Sequence, residues 1–286
     1  GGQSVRATFQ ATAGQKLGIG VYDLSLSSGS YVNVAAYRPD GGLAASTSCY
    51  ASQQGCKLNV QANQSGIYSM AVVPTSANQT LSYKWMVSQD RTGTLTANQP
   101  LDLVLPRRGQ NARLSFSGAA GESFSVQVSG QSTTPADRSV YYRVYKPDGT
   151  SLSSFSTTNF GALELRLPVA GEYQLFVDSA YGETVTSRLT LDAGDPQSIG
   201  GEPAAVETTH GGQSTRGTFD AVAGQQLGVG IYDLSVSSGS YVYATIYRPD
   251  GSQLTSATCY ISNKGCKLNV SVNSTGRHSV VITPQS

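Results

Sequence analysis

The sequence GGQSVRATFQATAGQKLGIGVYDLSLSSGSYV, residues 1–32, returns near the other end of the chain as GGQSTRGTFDAVAGQQLGVGIYDLSVSSGSYV, which begins at Gly211. Residues 1–75 align with residues 211–285 without a gap, and more than half of the aligned positions are identical. An alignment that runs unbroken through the turns means that the two copies share turn lengths and therefore one backbone. The chain of 286 residues thus contains an internal repeat.

A third, divergent copy lies between these two. GQNARLSFSGAAGESFSVQVSG, from Gly109, matches the opening stretch in its glycines and in its apolar alternation. YKPDG at residues 145–149 matches YRPDG at 37–41 and 247–251, and GEYQLFV at 171–177 matches GIYSMAV at 66–72. The repeat length of roughly a hundred residues indicates one domain per repeat, because solenoid units are far shorter.

Local patterns favour strands throughout. Segments such as VRATF, YVNVAAY and IYSMAVV are short, rich in β-branched or aromatic residues, and roughly alternating, with turn signals such as TAGQ, SSGS and PDG between them. No segment has a capped amphipathic helical stripe. We therefore predict an all-β chain of three tandem β-sandwich domains, jelly-roll-like or immunoglobulin-like, with essentially no helix.

The predicted domains are repeat 1 (residues 1–89), repeat 2 (90–194) and repeat 3 (195–286). In repeats 2 and 3 a lead-in strand marked by Pro100 or Pro203 precedes the Gly-Gln sequence, and repeat 1 lacks it. Repeats 1 and 2 end with LSYKWMVSQD and TSRLTLDAG, and repeat 3 lacks this last strand. Residues 195–205 have the composition of a linker. We expect either a piece of a longer array or a subunit whose open repeats are completed by neighbouring chains.

The Gly-Gln-Asn-Ala-Arg opening, the PDG hairpin and the AGxY strand together resemble the pre-peptidase C-terminal-like domain. More narrowly, the chain resembles the tandem repeats of large secreted or wall-associated bacterial proteins, some of them RHS/YD-repeat proteins. The resemblance covers all three copies and includes no catalytic motif. It implies a jelly-roll-like sandwich, an extracellular setting and an accessory role, and the chain departs from it in the missing first and last strands.

The composition excludes several classes of partner. The formal net charge is +1 and 13% of the residues are charged, so there is no basic footprint for nucleic acid or an anionic membrane. The sequence contains no run of about 18 apolar residues, so it predicts no membrane-spanning helix.

The four cysteines fall at matching places in repeats 1 and 3, in CYASQQGC and CYISNKGC. Local pairs, Cys49 with Cys56 and Cys259 with Cys266, are favoured because the repeats read as independent domains. Two thiolates without a nearby histidine do not fill a zinc tetrahedron. Disulfides indicate an oxidising compartment: the periplasm, the cell surface or the medium.

The sequence contains few residues of the types and patterns that catalysis requires. Of the two histidines, His210 lies in the lead-in to repeat 3 and His278 replaces the tyrosine of repeat 1, so neither recurs. We interpret both as exposed or edge-strand residues. No nucleophile elbow, zinc motif or phosphate-binding loop is present. We predict no enzyme, no cofactor and no metal site.

The recurrent acids and glycines have structural interpretations. Asp40, Asp148 and Asp250 belong to the PDG turns, where a hairpin is favoured over a calcium site because no acidic cluster surrounds them. Asp23 and Asp233 are interpreted as turn residues. The Gly-x-Gly that begins at Gly18 and recurs in repeat 3 lies inside a strand pattern, where glycine marks a bulge or close packing.

Exposed aromatic side chains are the remaining candidates for binding. Tyr50 and Tyr260, each directly after the first cysteine of its repeat, are candidates for stacking on sugar rings, and sheet packing is the alternative. Other candidates are Tyr22, Tyr232, Tyr31, Tyr241 and Trp85.

The favoured function is a non-catalytic, extracellular structural repeat array, a stalk, spacer or adhesive segment of a bacterial surface or secreted protein. Its partners would be the other domains of a parent surface protein or neighbouring copies of itself. One alternative is a filament subunit assembled head to tail by strand complementation. A second is a carbohydrate-binding module with glycans as partners.

Overall fold

The computed structural model describes residues 3–208 and 213–284. Within these ranges the regular structure consists of strands and two single 3₁₀ turns, Ala51–Gln53 and Ile261–Asn263, with no α-helix. The all-β prediction is confirmed. No helix of the described residues is long and apolar enough to cross a membrane.

The strands follow one another in the same order in each repeat. Residues 5–89 form β1 (Val5–Ala11), β2 (Lys16–Leu26), β3 (Tyr31–Tyr37), β4 (Leu43–Tyr50), β5 (Gly55–Gln61), β6 (Gly66–Pro74) and β7 (Leu81–Gln89). Residues 91–192 form β8 (Arg91–Thr94), β9 (Pro100–Leu105), β10 (Ala112–Gly118), β11 (Ser123–Thr134), β12 (Val140–Tyr145), β13 (Ser151–Thr157), β14 (Gly161–Arg166), β15 (Gly171–Ser179) and β16 (Thr184–Asp192). Residues 195–284 form β17 (Asp195–Gln197), β18 (Thr215–Ala221), β19 (Gln226–Ile231), β20 (Tyr241–Tyr247), β21 (Gln253–Tyr260), β22 (Cys266–Ser271) and β23 (Gly276–Pro284).

Repeat 2 shows the complete sandwich. Its first sheet has the order β13-β12-β15-β10-β8 and its second the order β14-β11-β16-β9. Buried Leu114, Tyr142 and Leu175 of the first sheet form one cluster with Val126 and Leu189 of the second. Alternate residues of each strand thus point into a core between two sheets, as the period of two predicted.

Repeats 1 and 3 are built on the same plan, each with its own buried cluster. In repeat 1 a single bridge from Tyr50 to Gly55 joins the two sheets, which gives the order β1-β6-β3-β4-β5-β2-β7. In repeat 3 the sheets are β17-β18-β23-β20-β21 and β19-β22. In repeat 1, β7 pairs with β2, and in repeat 2, β16 pairs with β11. In repeat 3, among the described residues, no strand lies at the corresponding edge of β19.

Successive repeats are joined with almost no free chain. β7 ends at Gln89, and β8 begins at Arg91 and pairs in parallel with β10 of repeat 2. β16 ends at Asp192, and β17 begins at Asp195 and pairs in parallel with β18 of repeat 3. Part of the predicted linker at 195–205 is therefore a strand, because the chain pairs with the next sheet as soon as it leaves the last one. The domain limits at 89 and 194 stay predictions.

The PDG turns have the conformation that their sequence favours. Gly41 has φ of +86°, and its counterparts in repeats 2 and 3 have φ of +80° and +78°. Asp40 Oδ1 accepts a hydrogen bond from the Gly42 N–H at 2.8 Å, and the aspartates of the other two turns do the same with Thr150 and Ser252. The glycine is required because the left-handed region is costly for residues with a Cβ.

One histidine prediction is wrong. His278 is fully buried in β23, a strand paired on both sides, with its ring stacked on Phe219 at 5.4 Å between centroids. The cause is its position: it replaces Tyr68, which stacks on Phe9 in repeat 1 and donates a hydrogen bond from Oη to the Gln64 carbonyl. An imidazole fills this core site but has no hydroxyl. His210 lies outside the described residues.

We therefore expect His278→Tyr to stabilise repeat 3 by about 1 kcal/mol, because the new hydroxyl can reach the carbonyl of Ser274 as Tyr68 reaches Gln64. Native-state hydrogen exchange of the β18 and β23 amides would be slower in this variant. His278→Phe is the matched control, since it fills the same space without the hydroxyl. Equal protection in the two variants would contradict the prediction.

Candidate functional site

A disulfide joins the two sheets in repeats 1 and 3. Cys49 at the end of β4 is bonded to Cys56 at the start of β5, with their Cα atoms 5.0 Å apart. Cys259 and Cys266 form the same bond in repeat 3, with 4.9 Å between Cα atoms. These separations lie in the usual range for disulfides. Each bond spans the 3₁₀ turn and fixes the corner at which the chain changes sheets.

Repeat 2 holds the same corner without sulfur. Thr157 Oγ1 donates to the Phe160 carbonyl at 2.6 Å, and Gln131 Nε2 donates to the Thr157 carbonyl at 2.7 Å. Gln131 also accepts a hydrogen bond from the buried hydroxyl of Tyr142 at 2.8 Å. Buried side-chain hydrogen bonds therefore replace the covalent bond in the middle repeat.

The two tyrosines next to the disulfides are exposed at the sheet surface. Tyr50 is 42% exposed and its ring lies 5.4 Å from that of its cross-strand neighbour Tyr31. Tyr260 is 49% exposed and packs at 5.9 Å on Tyr241, whose ring lies 5.1 Å from Tyr243. Repeat 3 thus presents three adjoining tyrosines where repeat 1 presents two.

The other aromatic candidates are not brought together with these. Half-buried Tyr22 lies under the Arg108 guanidinium, which is 5.5 Å from its ring centroid. Tyr232, its counterpart in repeat 3, is 57% exposed. Trp85 packs against the core of repeat 1.

The acidic residues do not form a metal site. Among residues 3–208 and 213–284, no three His, Cys, Asp or Glu side chains are grouped so as to hold a metal ion. The interpretation of Asp23 as a turn residue is wrong: it lies inside β2, at the bulge where the pairing with β7 shifts register between Tyr22 and Ser25. Asp233 lies at a bend after β19, and the two aspartates have φ of +53° and +52°. Asp23 forms a surface ion pair with Lys84, with 2.8 Å between Oδ2 and Nζ.

The contact between repeats 1 and 2 contains a buried polar network, which the sequence did not indicate. Lys57 on β5 contacts the Asp178 carboxylate on β15 and donates to Asn111 Oδ1 at 3.1 Å. Asn111 is fully buried and donates to Asn59 Oδ1 at 3.0 Å and to Asp90 Oδ1 at 2.8 Å. Side chains of both repeats are thereby joined in one network.

The charges of this network depend on one another. Burial lowers the pKa of Lys57 to about 7, and the carboxylates of Glu183 and Asp90 act in the opposite direction. Asp90 accepts a further hydrogen bond from Arg113 Nε at 2.8 Å, and the Arg113 guanidinium lies 4.3 Å from the Phe176 ring. Lys267, the counterpart of Lys57 in repeat 3, is exposed. The neighbouring repeat, and not the local sequence, creates the burial.

The glycines of β2 allow a backbone of repeat 2 to approach closely. A Cβ on Gly20 would lie 2.7 Å from the Arg108 carbonyl carbon, and one on Gly18 would overlap the Gly109 carbonyl. Such contacts with backbone atoms cannot be relieved by a side-chain rotation. The close-packing interpretation of the Gly-x-Gly sequence is confirmed for repeat 1. In repeat 3, a Cβ on Gly230 would meet nothing within 4 Å.

The contact between repeats 2 and 3 uses the corresponding strands, β11 and β14, with different side chains. Gln127, which stands where β2 has Gly20, donates from Nε2 to the Ser214 carbonyl at 2.7 Å. Arg216 of β18 is buried against Glu164 of β14, and burial lowers its pKa to about 10. Both contacts thus combine a flat sheet face with a buried cation.

Comparison with known proteins assigns no family. No protein-family model and no curated protein matches the chain. Among solved structures, the periplasmic inhibitor PliG of Aeromonas hydrophila, which inhibits g-type lysozyme, is 13% identical with a TM-score of 0.27, and the match covers 36% of this chain and 98% of that one. The M60 catalytic domain with two CBM51 domains of Clostridium perfringens ZmpB is 11% identical with a TM-score of 0.21, over 73% of this chain and 38% of that one. TM-scores this low carry no argument about function.

Removal of the repeat 1 disulfide should lower the stability of that repeat. For Cys49→Ser with Cys56→Ser we expect a loss of about 2.5 kcal/mol, the chain-entropy estimate for so small a ring. Trp85 is the single tryptophan of the chain and lies in β7, so its fluorescence during urea unfolding reports on repeat 1. The matched control, Cys259→Ser with Cys266→Ser, should leave the tryptophan transition in place; a shift of similar size in both variants would count against independent clasps.

Proposed function

We propose that this chain is a non-catalytic structural repeat array, a stalk or spacer that holds what lies at its two ends at a fixed separation. The observation that carries the proposal is the direct passage from one repeat to the next, with a single residue between β7 and β8. A flexible tether would have a polar, unpaired linker of many residues. Here the last strand of one sandwich is followed almost at once by a strand that pairs in parallel with a strand of the next sandwich.

The buried contacts support a rigid junction. Lys57, Asp178 and Asn111 satisfy one another only in one relative placement of repeats 1 and 2. Rotation of the repeats would leave a desolvated ammonium or carboxylate without its partner, which costs about 3–5 kcal/mol when a buried pair is broken. Polar networks of this kind favour one geometry over its neighbours.

The disulfides support the setting of the proposed array. Two disulfides in one chain point to an extracellular or periplasmic location, because cytosolic thiols are kept reduced. The resemblance to pre-peptidase C-terminal-like repeats supports a bacterial surface or secreted protein as the parent. The partners in this proposal are the neighbouring domains of that parent, and an adhesive role would fall to those domains.

Rigidity of the first junction can be measured with spin labels at the exposed Ser28 and Ala170. We expect one narrow distance distribution in the otherwise unchanged chain and a broader one in Gly20→Val, because overpacking against the Arg108 backbone costs about 1–3 kcal/mol. Gly230→Val, at the open counterpart in repeat 3, is the matched control and should leave the distribution narrow. A broad distribution in the unchanged chain would refute the rigid spacer.

A second candidate function is glycan binding at the exposed tyrosine cluster of repeat 3. The observation that favours it is the adjoining placement of Tyr241, Tyr243 and Tyr260, which presents aromatic surface beside a corner fixed by a disulfide. Aromatic faces of this kind stack on the apolar faces of sugars, and the fixed corner would keep the platform in place.

This candidate is tested on a glycan array. If it holds, the chain binds at least one glycan, and Tyr260→Ala weakens that binding by up to about tenfold, as the loss of one aromatic contact of about 1.4 kcal/mol implies. Tyr50→Ala tests the smaller pair in repeat 1, and Tyr141→Ala, which removes an exposed tyrosine away from the disulfides, is the control. The absence of any glycan signal would eliminate the candidate.

A further inference from the structure

We propose that Lys57 and Asp178 form a covalent isopeptide bond, a side-chain amide that joins repeat 1 to repeat 2. The bond forms without an added reagent, from an ammonium and a carboxylate that the fold holds in contact. It makes the first junction permanent, whereas the second junction stays noncovalent. The proposal stands whether or not the chain acts as a spacer.

The two reacting side chains belong to different repeats and meet in a buried place. Lys57 lies on β5, and its Nζ atom contacts Oδ1 of Asp178, which lies on β15. The two side chains are 8% and 19% exposed. Asn59 of β5 donates from Nδ2 to the other carboxylate oxygen of Asp178, Oδ2, at 3.4 Å. Groups held together in this way react far faster than the same groups on separate molecules.

The turn between β15 and β16 packs directly against Lys57. A Cβ on Gly182 would lie 3.3 Å from the Cys56 carbonyl oxygen and equally close to the Cβ of Lys57. The Gly182 carbonyl accepts a hydrogen bond from the Gly109 N–H at 2.9 Å. Backbone of repeat 2 therefore encloses the lysine, and the amine approaches the carboxylate from a fixed direction.

The nitrogen of Lys57 is available as a nucleophile because of its surroundings. Burial lowers the pKa of Lys57 to about 7, although the carboxylates of Glu183 and Asp90 act in the opposite direction. A substantial fraction of this side chain is therefore the neutral amine near neutral pH, whereas an exposed lysine is almost wholly protonated. The neutral amine has the lone pair that attacks a carboxyl carbon.

The reaction balances within the pair itself. One proton passes from the Lys57 ammonium to the Asp178 carboxylate, which gives an amine and a carboxylic acid. The lone pair of Nζ then forms a bond to Cγ of Asp178, and the bond from Cγ to Oδ1 breaks. The departing hydroxyl takes a second proton from the nitrogen and leaves as water. One ammonium and one carboxylate thus become one amide and one water molecule.

Glu183 is placed to transfer the second proton. Its side chain is 2% exposed, and its charge acts on Lys57 more strongly than that of Asp90. The Arg138 guanidinium lies 4.0 Å from Oε1 of Glu183. Asp90, in contrast, accepts a charged hydrogen bond from Arg113 at 2.8 Å. Because a carboxylate held by a close guanidinium is a weaker base, we assign the transfer to Glu183.

The product fits the network that surrounds it. Nζ of Lys57 lies 3.1 Å from Asn111 Oδ1, so the remaining N–H of the amide keeps this acceptor. Oδ2 of Asp178 becomes the amide carbonyl oxygen and keeps its hydrogen bond from Asn59. The reaction also removes two buried charges, whose desolvation opposes the ion pair. Release of water from a buried place adds to the preference for the amide.

The second junction offers a comparison within the same chain. Arg216 of β18 contacts Glu164 of β14 there, as Lys57 contacts Asp178. A guanidinium keeps its proton and has no lone pair for attack, so this pair stays an ion pair. Lys267, the counterpart of Lys57 in repeat 3, is exposed. The chain therefore forms one isopeptide bond.

The test is mass spectrometry of the full chain, denatured and with its disulfides reduced. We expect a mass below that of the sequence by one water molecule. Trypsin should release residues 17–84 joined to residues 167–188, because acylated Lys57 is not cleaved. Lys57→Arg should restore the full mass. Lys267→Arg, the matched control, should keep the loss of one water.

Two further substitutions examine the reaction itself. Asp178→Asn should give the same linked product and the same final mass as the unchanged chain, because ammonia then leaves in place of water. Glu183→Gln should slow bond formation about tenfold or more in a time course after cell-free synthesis under oxidising conditions. Glu183→Asp keeps a carboxylate and should recover most of the rate, which a purely structural role would not predict.

An unchanged chain of full mass would overturn the proposal. A loss of water that persists in Lys57→Arg would also overturn it, since a succinimide in a PDG turn gives the same mass. So would a link from Lys57 to a carboxylate other than Asp178. Equal rates in Glu183→Gln and the unchanged chain would refute the role of Glu183. The first measurement needs no variant, so misfolding of a variant cannot account for its result.

Discussion

The strand that completes the second sheet of a repeat also carries the chain into the next repeat. β7 pairs with β2 through residues 81–89, and one residue later the chain pairs with β10 as β8. β16 has the same two roles between repeats 2 and 3. The completeness of one sandwich and the placement of its neighbour are therefore a single constraint. In repeat 3, β19 is shorter than β2, and among the described residues it pairs only with β22.

The contacts between repeats show that the environment of a residue depends on the adjacent repeat as well as on the local sequence. Lys57 and Lys267 follow cysteines in identical local sequences, CKLNV, yet one is buried in a network of carboxylates and amides and the other is exposed. Burial of a charge is unfavourable unless it is paired, so the network adds little net stability over an apolar contact. Its contribution is the selection of one geometry, as the proposed spacer would require of its junctions.

The sequence predicted the features that depend on local chemistry. Alternation, PDG turns and cysteine spacing are read within a few residues, and the strands, hairpins and disulfides follow from them. The prediction for His278 was wrong because it considered only the polarity of the imidazole and not its packing on Phe219. The alignment of His278 with the buried Tyr68 was the available signal of burial. The network around Asn111 was missed for a different reason: its members come from two repeats, and no spacing along the chain brings them together. Gly18 and Gly20 were the one sequence signal for this contact.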